Sequence, residues 1–243
     1  MRLAVISDIH SNVEALTEVL RTAEALKVDR VISLGDVVGY GASVNECCDL
    51  VRKNTEITLL GNHDAAVAGR MDYSFYYDAA RHALDWSANV ISDENLEWLR
   101  SLPYTYRVGG VGFSHGSPIE PKAYEYIFAL EQARELMPHV AELPEVTFIG
   151  HSHLCKAFAL GNGEVNDVVA QKFVVRRGYK YIISVGSVGQ PRDYDNRACF
   201  VVHDTDARTV EYVRVEYDIE TSAQKIYEAD LALNFGKRLF LGV

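Results

Sequence analysis

Five stretches of the chain end an apolar, β-branched segment with aspartate, asparagine or histidine. The most compact is Gly61-Asn62-His63-Asp64, which follows the apolar residues 57–60 and places an amide, an imidazole and a carboxylate at consecutive positions. Such apolar segments are typical of buried strands, and ligand sites in open α/β sheets lie beyond the carboxyl ends of strands. If the strands are neighbours, their polar groups meet in one place. The other four stretches end in Asp8-Ile9-His10, Gly35-Asp36, His115-Gly116 and Gly150-His151-Ser152-His153.

These residue types favour a metal site. Asp8 and His10 are two positions apart, as are His151 and His153, and on a strand this spacing places both side chains on one face. Carboxylates, imidazoles and one amide oxygen suit Mn, Fe, Co or Ni, and also Zn, better than Ca or Mg. Seven ligands suit two ions roughly 3.5–4 Å apart that share a carboxylate, the arrangement that hydrolyses phosphate esters. The seven candidates are Asp8, His10, Asp36, Asn62, His115, His151 and His153.

The amino-acid composition limits the classes of molecule that the protein is expected to bind. The apolar fraction of 48% in 243 residues is enough for a substantial core, and the formal net charge is −10. That charge argues against a nucleic-acid surface built on phosphate contacts, but it leaves room for a small phosphorylated substrate because a metal can dominate the local charge. The four cysteines form no CxxC pattern and fit a reduced, cytoplasmic setting. No apolar stretch is long enough to span a bilayer, and no signal-peptide pattern is present, so we expect no membrane partner.

The first third of the chain reads as a βαβαβ unit. Hydrophobic patterning predicts strands at 2–7, 30–34 and 56–60 and helices at 13–26 and 43–53, so parallel strands with right-handed crossovers are expected.

The rest of the chain is expected to complete a single domain of residues 1–243. Residues 65–102 lack a clear strand and hold six aromatic side chains, which predicts a helical insertion over or beside the site. The later elements are predicted as a hairpin of strands 104–108 and 111–115, a helix at 128–137, a strand at 146–149 and a helix at 220–231, with the final residues unassigned.

Together the five blocks resemble those of the calcineurin-like metallophosphoesterase superfamily, in particular its small bacterial members. The resemblance implies an α/β fold of two mixed β-sheets packed as a sandwich and flanked by helices. It also implies two divalent ions, for which we expect Mn first and Fe, Ni, Co or Zn as alternatives. By this resemblance the first ion is bound by Asp8, His10 and His153, the second by Asn62, His115 and His151, and Asp36 bridges them.

The same resemblance assigns His63 to the substrate rather than to a metal. His63 would act as general acid, or as donor to a phosphoryl oxygen, with Asp64 orienting it; alternatively, Asp64 caps the next helix. A metal-bridging hydroxide would attack phosphorus in line, and His63 would protonate the leaving oxygen, worth ~10²–10⁴-fold.

Departures from the family pattern bear on the substrate. The phosphoprotein phosphatase branch has a phosphate-binding arginine where this chain has Tyr40, and its third block ends in Glu where this chain has Asp64. Arg192, in a Gly-Ser turn region after a strand, is the alternative substrate-binding candidate beside Tyr40; its other explanation is a surface ion pair with Asp193 or Asp195. The aromatic residues at 73–86 are either core or a substrate cradle.

The sequence therefore predicts metal-dependent hydrolysis of a small phosphate mono- or diester. A serine/threonine protein phosphatase or bis-nucleotide phosphatase activity is the alternative, disfavoured by Tyr40. A nuclease is disfavoured by the acidic balance, and a non-catalytic scaffold of the same fold is disfavoured because every ligand position is filled.

Overall fold

The computed structural model describes residues 1–243 and contains two six-stranded mixed sheets. The strands are β1 (Arg2–Ile6), β2 (Arg30–Ser33), β3 (Ile57–Thr58), β4 (Thr105–Val108), β5 (Val111–Ser114), β6 (Val146–Ile149), β7 (Cys155–Gly161), β8 (Glu164–Asp167), β9 (Lys172–Val174), β10 (Lys180–Val185), β11 (Ala198–Asp204) and β12 (Thr209–Val215). The helices are α1 (Val13–Ala25), α2 (Val44–Asn54), α3 (Asn62–Val67), α4 (Asp78–Val90), α5 (Asp93–Ser101), α6 (Leu130–Glu135), α7 (Ile219–Glu228) and α8 (Leu233–Leu241), with 3₁₀ turns at Pro121–Ala123 and Met137–His139. The first sheet has the order β3-β2-β1-β11-β12-β9 and the second β4-β5-β6-β10-β7-β8.

The strands alternate between two apolar layers, which explains their unbroken hydrophobic runs. On β1, Leu3 and Val5 lie in the core between the two sheets, where residues of both sheets meet. Ala4 and Ile6 lie in the second core, which the first sheet forms with α1 and α2. On the far side, the second sheet packs against α6. The predicted sandwich of two mixed sheets flanked by helices is confirmed.

The site edge is formed by the carboxyl ends of two sets of parallel strands. In the first sheet β1, β2 and β3 run parallel, and in the second β5, β6 and β10 do. The polar segments therefore do not follow neighbours in a single sheet. Segments from both sheets meet where the edges of the sandwich coincide.

Backbone hydrogen bonds join these segments to one another. The N–H groups of Ile9 and His10 both donate to the carbonyl of Asp36, at 2.8 and 2.9 Å. The Gly150 N–H donates to the carbonyl of His115 at 2.8 Å, and the Gly189 N–H donates to that of Asp8 at 2.9 Å. Main-chain bonds thus fix the relative positions of the loops that carry the candidate ligands.

Several element predictions need correction. The strand predicted at 56–60 has only two residues, Ile57–Thr58. The N–H groups of Glu56 and Leu59 still donate to the carbonyls of Val31 and Ser33, whereas the Leu60 N–H faces the other way and donates to that of Pro103. The helix predicted at 128–137 ends at Glu135 and is followed by a 3₁₀ turn that contains Pro138, which lacks the N–H that an α-helix needs.

The C-terminal residues left unassigned form α8. This helix packs against α7, and Phe235 on α8 contacts Tyr40 with ring centroids 4.8 Å apart. The longest helices have 13 residues, and none combines the length and apolar character of a bilayer span.

Candidate metal centre

Two buried aspartates face the middle of the site with one oxygen each. Asp8 Oδ2 accepts the N–H of His151 at 3.0 Å, and Asp36 Oδ1 accepts the N–H of His63 at 2.8 Å. Because a main-chain donor holds one oxygen of each carboxylate, the other oxygen is directed to the histidines. Asp8 Oδ1 lies 3.3 Å from His153 Nε2, and Asp36 Oδ2 lies 3.3 Å from His115 Nε2.

Main-chain carbonyls fix the tautomers of three histidines. Nδ1 of His10, His115 and His153 lies 3.2, 3.0 and 2.6 Å from the carbonyl oxygens of Val38, Leu34 and Gln190, respectively. A carbonyl only accepts, so each Nδ1 carries a proton and Nε2 is the ring atom that faces the site, with a free lone pair wherever the imidazole is neutral. A backbone carbonyl behind a ligating imidazole is the usual arrangement at protein metal sites.

The facing atoms are acceptors without a donor between them. His10 Nε2 and His153 Nε2 are 3.1 Å apart, and both rings are buried. Asp8 Oδ1 is buried and has no hydrogen-bond partner. Lone pairs at this separation repel unless a cation lies among them, and a buried acceptor without a partner costs about 1–3 kcal/mol. The donor set therefore fits divalent metal ions.

The predicted ligands come together as predicted. Ligand atoms within 4.8 Å of one another define two groups with separate members, Asp8-His10-His153 and Asp36-His115-His151. Asn62 adjoins the second group, because its Oδ1 is 3.1 Å from His115 Nε2. A third group consists of His10, Asp36 and His63. His63 is thus near enough to be a ligand, and its role in substrate binding stays a prediction.

Backbone conformation, not strand alternation, aims the paired ligands. Asp8, His10, His151 and His153 have φ of +54°, +47°, +64° and +59°, so none of them lies on a strand. The argument that two-residue spacing on a strand places each pair on one face is therefore wrong. Left-handed residues turn the chain sharply after β1 and β6. These turns bring Asp8 and His10 into one group of ligands and direct His151 and His153 into the two different groups.

Four of the histidines are neutral near pH 7 in the metal-free chain. Burial lowers the pKa of His10 and of His153 well below its usual value, and it lowers the pKa of His151 to about 3 and that of His63 to about 4. The neutral imidazole is the form that binds metals.

His115 is the exception, and it forms the charged partner of Asp36. Burial lowers the pKa of His115, but the carboxylates of Asp36 and Asp8 outweigh burial and raise it to about 9. Burial likewise raises the pKa of Asp36, but the neighbouring histidines, His115 first, hold it well below its ordinary value. A proton on His115 thus offsets part of the negative charge that metals would otherwise balance.

Of the two roles considered for Asp64, the structure agrees with the one at the start of a helix and not with the one that orients His63. Its Oδ1 accepts the N–H groups of Val37 and Val38 at 2.9 and 3.1 Å, and its Oδ2 accepts that of Gly61 at 3.2 Å. None of these bonds reaches the His63 ring, so a direct orienting contact is absent. Asp64 instead closes the first turn of α3, which begins at Asn62, and ties it to the loop after Asp36.

The His63 ring is held by packing. Its centroid is 4.4 Å from that of Tyr40, 4.8 Å from that of His10 and 6.1 Å from that of Tyr76. Its Nδ1 is buried without a hydrogen-bond partner.

The residue before Asn62 must be glycine, because the backbone of Gly61 lies close to the Asp36 side chain. A Cβ at this position would lie 2.1 Å from Asp36 Oδ1.

The two predicted substrate-binding residues lie together beside the ligands. Tyr40 is only 8% exposed, and the Arg192 guanidinium lies 5.7 Å from the centroid of the Tyr40 ring. The surface ion pair considered for Arg192 is not formed, because Asp193 and Asp195 pair with Arg214 and Arg197. Arg192 donates to Gln190 Oε1 at 3.0 Å, and its Nε is buried without a partner. Arg192 therefore keeps donors free for an anion.

Sequence reasoning missed two aromatic residues that contact candidate ligands. Tyr76 Oη accepts the Asn62 Nδ2 hydrogen bond at 2.8 Å, which leaves Asn62 Oδ1 directed at His115. The Tyr126 ring stacks on the His151 imidazole with centroids 3.8 Å apart and planes 13° apart. Tyr76 lies within the aromatic run noted in the sequence, but nothing in the pattern around Tyr126 marks it.

Known proteins resemble this chain over its whole length. The model of the calcineurin-like phosphoesterase superfamily domain matches residues 1–208. "Uncharacterized protein MJ0912" of Methanocaldococcus jannaschii is 38% identical, covering 99% of this chain and 98% of its own. The crystal structure of a metallophosphoesterase from Sphaerobacter thermophilus has a TM-score of 0.86 and 37% identity, covering 100% and 99% of the two chains. The hypothetical protein PH1004 of Pyrococcus horikoshii OT3 shares the fold, with a TM-score of 0.81 and 20% identity over 100% and 98% of the chains.

Proposed function

The chain belongs to the calcineurin-like phosphoesterase superfamily, and we therefore propose that it hydrolyses a small phosphate mono- or diester with two bound divalent ions. The observation that supports this most directly is the set of acceptors that face one another without a donor. His10 Nε2 and His153 Nε2 are 3.1 Å apart, and Asp8 Oδ1 beside them has no partner. Bound cations would stabilise such a set.

We assign the ligands to two ions. Asp36 is placed between the two positions because its Oδ2 faces both His10 and His115, at 3.7 and 3.3 Å. Imidazole, carboxylate and amide donors favour Mn first, with Fe, Ni, Co or Zn as alternatives. When bound, two such ions supply hydroxide near neutral pH and stabilise charge on the phosphoryl oxygens. The first ion would be held by Asp8, His10 and His153 and the second by Asn62, His115 and His151.

Two further residues of the chain serve the substrate. A neutral His63 keeps one ring N–H, which can donate to a phosphoryl oxygen, and the dianionic charge of a bound phosphate would raise its pKa toward that of a general acid. Arg192 has a buried, unpartnered Nε, and its guanidinium can bind a second phosphoryl oxygen. Tyr40 packs between the two and supports both positions.

The position of Tyr40 disfavours the protein phosphatase and bis-nucleotide alternatives. The buried phenol offers no positive charge where that branch has its arginine, and the one cation beside it comes from a distant part of the sequence, Arg192. A cytoplasmic location is proposed with the activity, because all four cysteines are free thiols.

Metal content and turnover together test the proposal. Metal-free protein loaded with Mn, Fe, Co, Ni or Zn should bind two ions per chain and hydrolyse p-nitrophenyl phosphate, its bis ester, or both. Asp36→Asn should lose metal and activity together, whereas Asp206→Asn, at an 87% exposed side chain, should change neither. Binding of two ions without turnover of either ester would favour a non-catalytic scaffold, and failure to bind metal would refute the proposal.

A further inference from the structure

Exposed aromatic rings lie on the two segments that contact the candidate ligands. Phe75 is 73% exposed, Tyr77 55% and Tyr126 45%. Single exposed apolar side chains are common on protein surfaces, but apolar side chains that border a polar cleft are typical of ligand sites. These three rings come from two separate segments, the one before α4 and the one before α6.

The rings flank the candidate ligands on two sides. Phe75 packs edge-on against Tyr76 with centroids 5.0 Å apart, and Tyr76 holds the Asn62 amide. Tyr126 lies flat on His151 on the other side. Asn62 Oδ1 lies 3.1 Å from His115 Nε2, and the His115 and His151 rings have centroids 5.1 Å apart, so both segments contact the same group of candidate ligands.

We infer that Phe75, Tyr77 and Tyr126 form an aromatic clamp for a planar ring carried by the phosphate ester. The inference rests on the proposed function, because an ester whose phosphoryl group lies at the candidate metal centre would have its remaining part near these rings. Arg192 and His63 bind the phosphate, whereas the clamp offers flat apolar faces to the group that leaves. Stacking on such faces selects rings without requiring a particular pattern of hydrogen bonds.

Matched substrate pairs test the clamp. Adenosine 5′-monophosphate and ribose 5-phosphate share the same leaving oxygen and differ in the base, and benzyl and cyclohexylmethyl phosphate differ only in the aromaticity of the ring. The methyl esters of all four serve if the protein accepts diesters only. In each pair that fits the clamp, the aromatic member should have a kcat/KM about tenfold higher. A higher kcat/KM for the aromatic member of the first pair alone means that the clamp binds a base separated from the phosphate by a ribose. The same result in the second pair alone means that it binds a ring next to the scissile bond.

Two variants and a control separate the clamp from the metal site. Phe75→Ala and Tyr77→Leu should remove most of the aromatic preference and leave the aliphatic members within about twofold. Phe75→Ala is the safer of the two for folding because the side chain is largely exposed. Phe240→Ala is the control, since Phe240 is also exposed, at 45%, but lies on α8. Binding of adenosine and of benzyl alcohol, measured by calorimetry in the metal-free protein, gives a readout without turnover.

The outcomes distinguish the clamp from the activity. The clamp is overturned if the variants lose kcat/KM equally for both members of each pair, or if the wild type shows no aromatic preference. Either result leaves the proposed phosphoesterase activity intact. If no ester is hydrolysed with any metal, the activity fails, and the binding arm alone decides the clamp. A dimer in sedimentation that Phe75→Ala dissociates would identify the rings as a surface between two copies and would also overturn it.

Discussion

Gly39→Ala tests the role of His63 without altering His63 itself. Gly39 has φ of +92°, and a Cβ there would lie 2.2 Å from His63 Nδ1. A Cβ in ordinary van der Waals contact stays at 3.4 Å or more, so the imidazole must move by more than about 1 Å. Tyr40 and His10 pack against the ring, and the ring therefore moves out of its present position as a whole.

The expected loss has two separable parts. A residue with a side chain in the left-handed region costs about 1–2 kcal/mol of folding stability. Displacement of a catalytic group by about 1 Å costs about 10²-fold in rate, or about 2.7 kcal/mol in the activation free energy. The metal content should stay at the wild-type value, because the three atoms nearest the added Cβ all belong to His63 and not to the seven candidate ligands.

Gly69→Ala is the matched control. Gly69 also has positive φ, +69°, and no atom lies within 4 Å of the Cβ position, so this variant should lose stability but not rate. Thermal unfolding, metal content and kcat on the best ester are measured for both variants and for His63→Ala, which sets the maximum loss. Full activity of Gly39→Ala would refute the reasoning, as would a loss of metal that matches the loss of rate or an equal rate loss in Gly69→Ala.

Three further predictions concern the groups around the ligands. Tyr76→Phe removes the acceptor that orients the Asn62 amide and should weaken binding of one of the two ions about 10–100-fold by calorimetry, with the other unchanged. Arg192→Ala should raise KM about 10–100-fold with unchanged metal content, and an unchanged KM would remove Arg192 from the substrate site. Because the pKa of His115 is raised to about 9 beside Asp36, the metal-free chain holds that proton at pH 7 and must release it on binding; apparent metal affinity should rise about tenfold per pH unit from 7 toward 9 and then level off. Titrations in two buffers with different ionisation enthalpies count the released protons, and zero protons would contradict the His115–Asp36 pairing.

The βαβαβ unit and the gathering of the candidate ligands were predictable because they depend on local patterns, whereas the sandwich of two sheets was expected from the family resemblance. Apolar runs that end in Asp, Asn or His predict strands and the residues that follow them, and five such runs in order point to one edge. The mechanism that aims the side chains was not predictable in this way. Left-handed φ at Asp8 and His153 depends on main-chain bonds to residues far away in the sequence, such as Gly189 with Asp8, and no short pattern encodes those bonds.

The support around the ligands also escaped prediction. Tyr76 and Tyr126 are aromatic residues among many, and only the folded chain shows that they contact Asn62 and His151 while others fill the core. For Asp64 the sequence left two roles open, and only the folded chain decides between them. The N–H groups of Val37, Val38 and Gly61 all donate to its carboxylate, which therefore makes no contact with the His63 ring.

The left-handed residues also place a stability cost at the site. Five of the seven candidate ligands, Asp8, His10, Asp36, His151 and His153, occupy a conformation that glycine adopts freely and that costs other residues about 1–2 kcal/mol each. Glycine at any of these positions would relieve part of that cost. The folded chain thus gives up stability to hold these five side chains where they are.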